Sequence, residues 1–143
     1  RSTLFPYTTL FRSRTGALED CWGRVKRYTD RLSKLSTEER HELRKRLKAL
    51  RYAAEFFLPL YPETATGRFV KRLRQLLDIF GYLNDVAMAE MLLALSHAEP
   101  VYVADRETAA GFVLGWHSAR ADNAWDNVPT RLRQLKRSAH FWR

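Results

Sequence analysis

The sequence predicts an all-α protein, an antiparallel helical bundle, and three observations carry that reading. Only five prolines and six glycines punctuate 143 residues, so little stops a helix once it has begun. No sustained alternation of apolar and polar residues, the mark of a half-buried strand, appears anywhere. The long stretches between breakers place their apolar residues on one side at helical spacing. The length allows one domain, and 45% hydrophobic with 13% aromatic residues is enough for a core.

The elements follow in order. Residues 1–13 stand apart, with no acid, no helical period and an excess of Thr and Phe. They lack a continuous apolar run and a small-residue cleavage site, which argues against a secretory signal. Thr3 to Ser13 instead resembles the in-frame translation of a short sequencing adapter. The segment is therefore expected to lie outside the fold, with the natural chain continuing upstream. A first helix is expected from about Ala17 to Leu35. Ser36-Thr37-Glu38-Glu39 then reads as a capping box, the serine hydroxyl accepting from a first-turn N–H while Glu39 reaches back. The second helix ends near Phe57, ahead of Pro59 and Pro62. A third runs from about Thr66 to Phe80 and is expected to break at Gly81. Asn84 or Asp85 would cap a fourth helix through Leu95. His97 to Asp105, containing Pro100, reads as a loop. A fifth helix spans about Glu107 to Ala124, and a sixth follows Pro129, a residue suited to a first helical turn. Leu135, Phe141 and Trp142 are expected to pack back on the bundle.

The formal charge is +9, from 25 basic and 16 acidic residues. An acidic partner fits that balance: nucleic acid, an anionic membrane or another polyanion. The single cysteine, Cys21, rules out an intramolecular disulfide and a Cys-rich metal site. No apolar run approaches the ~18 residues of a membrane span, and a reducing cytoplasm is the expected compartment. The charge is uneven. Residues 40–74 hold ten basic and three acidic residues, whereas residues 75–119 hold one basic and six acidic.

On a helical wheel at about 100° per residue, His41, Arg44, Lys45, Lys48, Arg51, Tyr52 and Glu55 fall on one side of the second helix. Leu43, Leu47, Leu50, Ala54 and Phe57 fall on the other. The third helix repeats the design, with Arg68, Lys71, Arg72 and Gln75 opposite Phe69, Val70, Leu73, Leu76, Leu77 and Phe80. Helices joined by a short Pro-containing loop are normally antiparallel neighbours, so the two basic stripes are expected to lie side by side. An ordinary solvated face would interleave acids at i±4. Arg44, Lys45, Arg46, Lys48 and Arg51 instead crowd three turns with little compensation, a cost an anion would relieve. Cations about 5 Å apart along the axis suit successive phosphates, and the chain they bind need carry no bases.

Other chemistry is thinly represented. His41-Glu42 begins like a zincin motif, but the fifth position is Lys45. His41, His97, His117 and His140 show no ligand spacing with carboxylates or Cys21, so no metal is expected. No phosphate-cradling glycine loop is present. Glu55 reads as an ion-pair brace for Arg51 or Lys48 rather than as a base. Trp22, Trp116, Trp125 and Trp142 read as packing residues, and Tyr52 is the only aromatic among the cations. No cofactor and no catalytic residue is expected.

The stretch from His41 to Phe57 resembles the histidine-bearing helix of the CHAD domain. Lys71 to Asp85, followed by an Ala-rich helix, is similar to that family's second signature. Gly115-Trp116 and the closing Phe141-Trp142 resemble its C-terminal edge. Leu77 stands where the family usually has Gln, Gln75 where it often has a basic residue, and Ala49 in place of a common Arg. The resemblance implies a two-bundle helical domain, of which residues 14–143 would be the C-terminal half and the missing N-terminal half a partner. It also implies non-catalytic binding of inorganic polyphosphate, in the cytoplasm or on polyphosphate granules. The binding role then falls on His41, Arg44, Lys45, Lys48, Arg51 and Tyr52, with Arg68, Lys71, Arg72 and Arg74; Arg74 sits off the main stripe. Protonation of His41 at mildly acidic pH would strengthen binding. The alternatives are a nucleic-acid-binding helical domain and an accessory module presenting polyphosphate to a fused triphosphatase.

Overall fold

The serine at position 36 begins the second helix as its neighbours require. Its hydroxyl accepts the Glu39 N–H at 3.2 Å, and its own N–H donates to Glu39 Oε2 at 3.0 Å, which completes the capping box. Arg31 clamps the same Glu39 at 2.6 Å. The computed structural model describes residues 5–95, 103–139 and 141–142. The helices are α1 (Phe5–Thr29), α2 (Thr37–Phe57), α3 (Glu63–Leu95), α4 (Val103–Asp126) and α5 (Val128–Ser138). Single 3-10 turns, Leu32–Lys34 and Leu58–Leu60, precede and follow α2. The all-α expectation holds: every regular element among the described residues is helical.

Three boundaries differ from expectation. The first helix begins at Phe5, not near Ala17, and ends at Thr29, with Leu32–Lys34 tightened into a 3-10 turn. Residues 5–13, expected to lie outside the fold, are helical. Gly81 does not break the third helix, because α3 runs without interruption to Leu95. A glycine inside a helix costs ~1 kcal/mol relative to alanine, and the burial of Phe80 and Val86 on either side outweighs it. Asn84 and Asp85 are therefore interior helical residues and cap nothing. The expected loop lies outside the described residues up to residue 102, and Val103 to Asp105 are already helical. Pro129 takes the first turn of α5 as expected.

The chain divides into two units. One comprises the described residues up to Leu77 with those from Pro129 onward; the other is Asp78–Val128. The first unit closes a core of its own. Leu18, Trp22 and Val25 of α1, Leu43, Leu47, Leu50 and Ala54 of α2, and Phe69, Leu73 and Leu76 of α3 are all buried. Leu132, Leu135 and Trp142 join them from the C-terminal side. Trp142 meets Phe69 edge-on at 5.3 Å and Trp22 at 6.5 Å, and its indole N–H donates to Glu19 at 3.0 Å. The terminal aromatics thus pack back as expected. Thr66 is the polar residue buried here, and its hydroxyl bonds the carbonyls of Pro62 and Glu63.

The second unit is thinner. Phe80, Val86, Ala121 and Val128 are its buried hydrophobics. Phe80 meets Trp125 at 5.8 Å, the Tyr82 hydroxyl lies 2.8 Å from His117 Nδ1, and Ser118 donates to Glu90 at 2.8 Å. No helix among the described residues is long and apolar enough to cross a membrane.

Candidate functional site

The buried row Leu43, Leu47, Leu50 and Ala54 fixes which way α2 faces. Its outer crest presents His41, Lys45 and Tyr52, all exposed, while one flank presents Arg44, Lys48 and Arg51, all half-buried. Arg44 and Lys48 form no ion pair among the described residues. Arg44 Nε is buried and has no hydrogen-bond partner among them. Arg51 lies over the Tyr52 ring at 4.9 Å, and its Nε stands 3.8 Å from Glu55 Oε1. The three flank cations occupy positions i, i+4 and i+7, a span of about 10 Å at 1.5 Å per residue. A linear polyanion laid along this flank meets a charge at each helical turn.

Compensation on α2 is greater than the spacing implied. Glu42 accepts from Lys45 at 2.7 Å and lies 3.7 Å from Arg46. The hydrogen bond from the Lys45 ammonium, then its charge, holds the Glu42 carboxyl below the ordinary glutamate value. Lys45 therefore presents a partly neutralised charge. Glu55 braces Arg51 as expected, and also takes Arg74 Nη2 at 2.9 Å.

The two stripes meet only in part. Arg74, off the α3 stripe by angle, is the residue that reaches α2, through Glu55. Arg72 turns to the other side, where its Nη1 donates to the Gln134 carbonyl of α5 at 2.8 Å. There it serves the C-terminal end of a helix, where arginine complements unsatisfied carbonyls. Arg68 and Lys71 are exposed on the crest of α3 and have no ion pair among the described residues. Arg131 of α5 comes within 3.5 Å of Gln75 on the same side.

The structure adds a cationic cluster that residue spacing on α2 and α3 did not reveal. Arg24, Arg27 and Tyr28 of α1 and Arg46 of α2 line a cavity of about 230 Å³. Arg46 lies on the flank of α2 opposite Arg44. The signal was present as Arg24-x-x-Arg27, one turn apart, but residues 14–39 are almost neutral and drew no attention to it. A second cavity, between α1 and α5, is lined by Trp22, Leu32 and Leu132 among others and by no residue of α2. Among the described residues no group of His, Cys, Asp and Glu could hold a metal ion; His97 and His140 lie outside them.

No curated protein and no solved structure matches the chain. A family match covers residues 7–94, more than half of the chain. It takes in α2 whole and nearly all of α3, so both basic stripes fall inside it, while Gly115-Trp116 and Phe141-Trp142 fall beyond its end. With its helical fold and its cation-bearing α2, the chain belongs to the CHAD domain family, a family associated with polyphosphate binding.

Proposed function

We propose that the chain binds inorganic polyphosphate along the flank of α2 and does not itself catalyse a reaction on it. The observation that carries this reading is the pair Arg44 and Lys48, half-buried cations without acidic partners among the described residues, on the helix that bears the family's histidine motif. Arg51 continues the row. His41, Lys45 and Tyr52 on the crest, and Arg68, Lys71 and Arg74 from α3, would supply further contacts. Arg72, bonded to the α5 carbonyl, would contribute charge more than contact. Guanidinium and ammonium groups replace the counterions of the phosphate chain, so affinity falls steeply with salt.

The test is polyphosphate binding by the full chain across a salt series, with DNA as competitor at equal phosphate. Arg44→Glu combined with Lys48→Glu should abolish binding. Lys48→Gln alone should lower the slope of log affinity against log salt by about one, as for the loss of one phosphate contact. Binding that survives the double reversal sinks the site. Competition by DNA at phosphate equivalence would favour a nucleic-acid reader instead.

A further inference from the structure

We infer that the notch formed by Arg24, Arg27, Tyr28 and Arg46 is a separate anion site, taking one tetrahedral phosphate group. The notch lies between α1 and α2, on the opposite flank of α2 from Arg44 and Lys48, and stands or falls independently of that stripe. Four observations point to it.

Three arginines from two helices line one cavity of about 230 Å³. Like charges so placed repel, and nothing in the local sequence obliges them to gather. Acidic residues one turn from the two α1 arginines do not pair with them. Asp20 stands four residues before Arg24 and Asp30 three after Arg27, yet neither arginine has an ion pair or hydrogen bond among the described residues. The acid nearest Arg46 is Glu42 at 3.7 Å, and that carboxylate hydrogen-bonds Lys45 at 2.7 Å. Arg31, over the Tyr28 ring at 5.8 Å, is paired with Glu39 and leaves the charge of the notch to the three lining arginines.

The lining also sets the ligand class. Its one aromatic surface is the Tyr28 ring, and no aliphatic residue lines it, so it offers no slot for an acyl chain. Arginine forks present paired N–H donors that match phosphate oxygens, and the Tyr28 hydroxyl can add one more. A multiply charged tetrahedral oxyanion satisfies this set better than a singly charged one. That chemistry has two sources: free inorganic phosphate, and the terminal phosphate of a phosphoanhydride chain.

The experiment titrates the full chain with inorganic phosphate, then with tripolyphosphate, while following the arginine side-chain NMR signals. Saturable phosphate binding that shifts Arg24, Arg27 and Arg46 together is expected. Arg24→Gln with Arg27→Gln should weaken it by at least about tenfold, the loss expected for a charge-assisted hydrogen bond. Arg27→Lys should recover part of the loss, and Arg137→Gln, on α5 and outside both sites, should leave phosphate binding unchanged. All substituted side chains are exposed, and unchanged circular dichroism would confirm the fold. Tripolyphosphate competing in proportion to its chain ends identifies the terminal group as ligand; competition by inorganic phosphate alone identifies the free ion. Absence of saturable phosphate binding, or binding indifferent to the double substitution, overturns the proposal.

Discussion

The two units divide the chemistry of the chain between them. Residues 78–128 hold eight acidic and two basic residues, and the remainder holds eight acidic and twenty-three basic. The basic unit buries most of its large apolar side chains and displays cations. In the acidic unit, Met88, Met91, Leu92 and Leu95 of α3 and Phe112, Val113 and Trp116 of α4 are exposed. Their acids differ too. In the basic unit Glu19, Glu38, Glu39, Glu42 and Glu55 all have side-chain partners. In the acidic unit Glu90 accepts from Ser118, while the carboxylates of Asp78, Asp85, Asp105, Glu107, Asp122 and Asp126 have no partner among the described residues, as is true of Asp20 and Glu63 in the basic unit. Net charge, taken alone, averages over a region that sets its cations around a closed core and a region with little core of its own.

The largest expected effect tests that difference in core. Trp142→Ala removes a side chain that is 1% exposed and touches Trp22, Phe69 and Phe141, so it should cost about 3–5 kcal/mol. Phe112→Ala removes one that is 79% exposed and should stay within about 0.5 kcal/mol of the parent. Urea unfolding followed by circular dichroism reads both. Equal losses would mean that the acidic unit is held by contacts its exposure does not reveal, and the comparison would break.

Gly81→Ala tests the acidic unit from within. Gly81 lies inside α3, and a Cβ added there meets nothing within 4 Å. Alanine should raise stability by about 0.5–1 kcal/mol through lower unfolded-state entropy. A loss would show that the glycine serves a contact in another conformation of the helix, and that its expected role as a break had substance.

Local features of this fold were legible and distant ones were not. The Ser36 box, the stop at Pro59 and the first turn at Pro129 depend on neighbours in sequence, and each formed where expected. Gly81, Asn84 and Asp85 misled because their intrinsic preference for helix ends is weak against the packing of Phe80 and Val86. The α2 stripe was legible because angle on a helix follows from residue number alone. The fate of Arg72 was not, because its partner carbonyl is 62 residues away on α5. Arg74 had the wrong angle for its own stripe and the right one for Glu55, which only the approach of α2 to α3 reveals. The Arg24–Arg27–Arg46 notch needed two helices to come together, and a nearly balanced local charge hid its first two members.

The smallest effect concerns the engaged acids of the basic unit. Glu38 is held below the ordinary glutamate value of 4.5, first by its own backbone N–H and then by the Ser36 hydroxyl. A carboxyl lowered on folding contributes stability that is fully present above its unfolded value and is lost as pH falls through its folded value. Stability of the basic unit should therefore decline below about pH 4.5, with Glu42 adding to the same decline through Lys45. Glu38→Gln cannot ionise, so it should lower the melting temperature slightly at neutral pH and flatten the acid limb. Glu38 is exposed and Glu42 partly so, so salt should shrink the difference between variant and parent. A variant whose melting curve runs parallel to the parent's from pH 6 to pH 3 would show that the start of α2 draws its stability from the Ser36–Glu39 exchange alone.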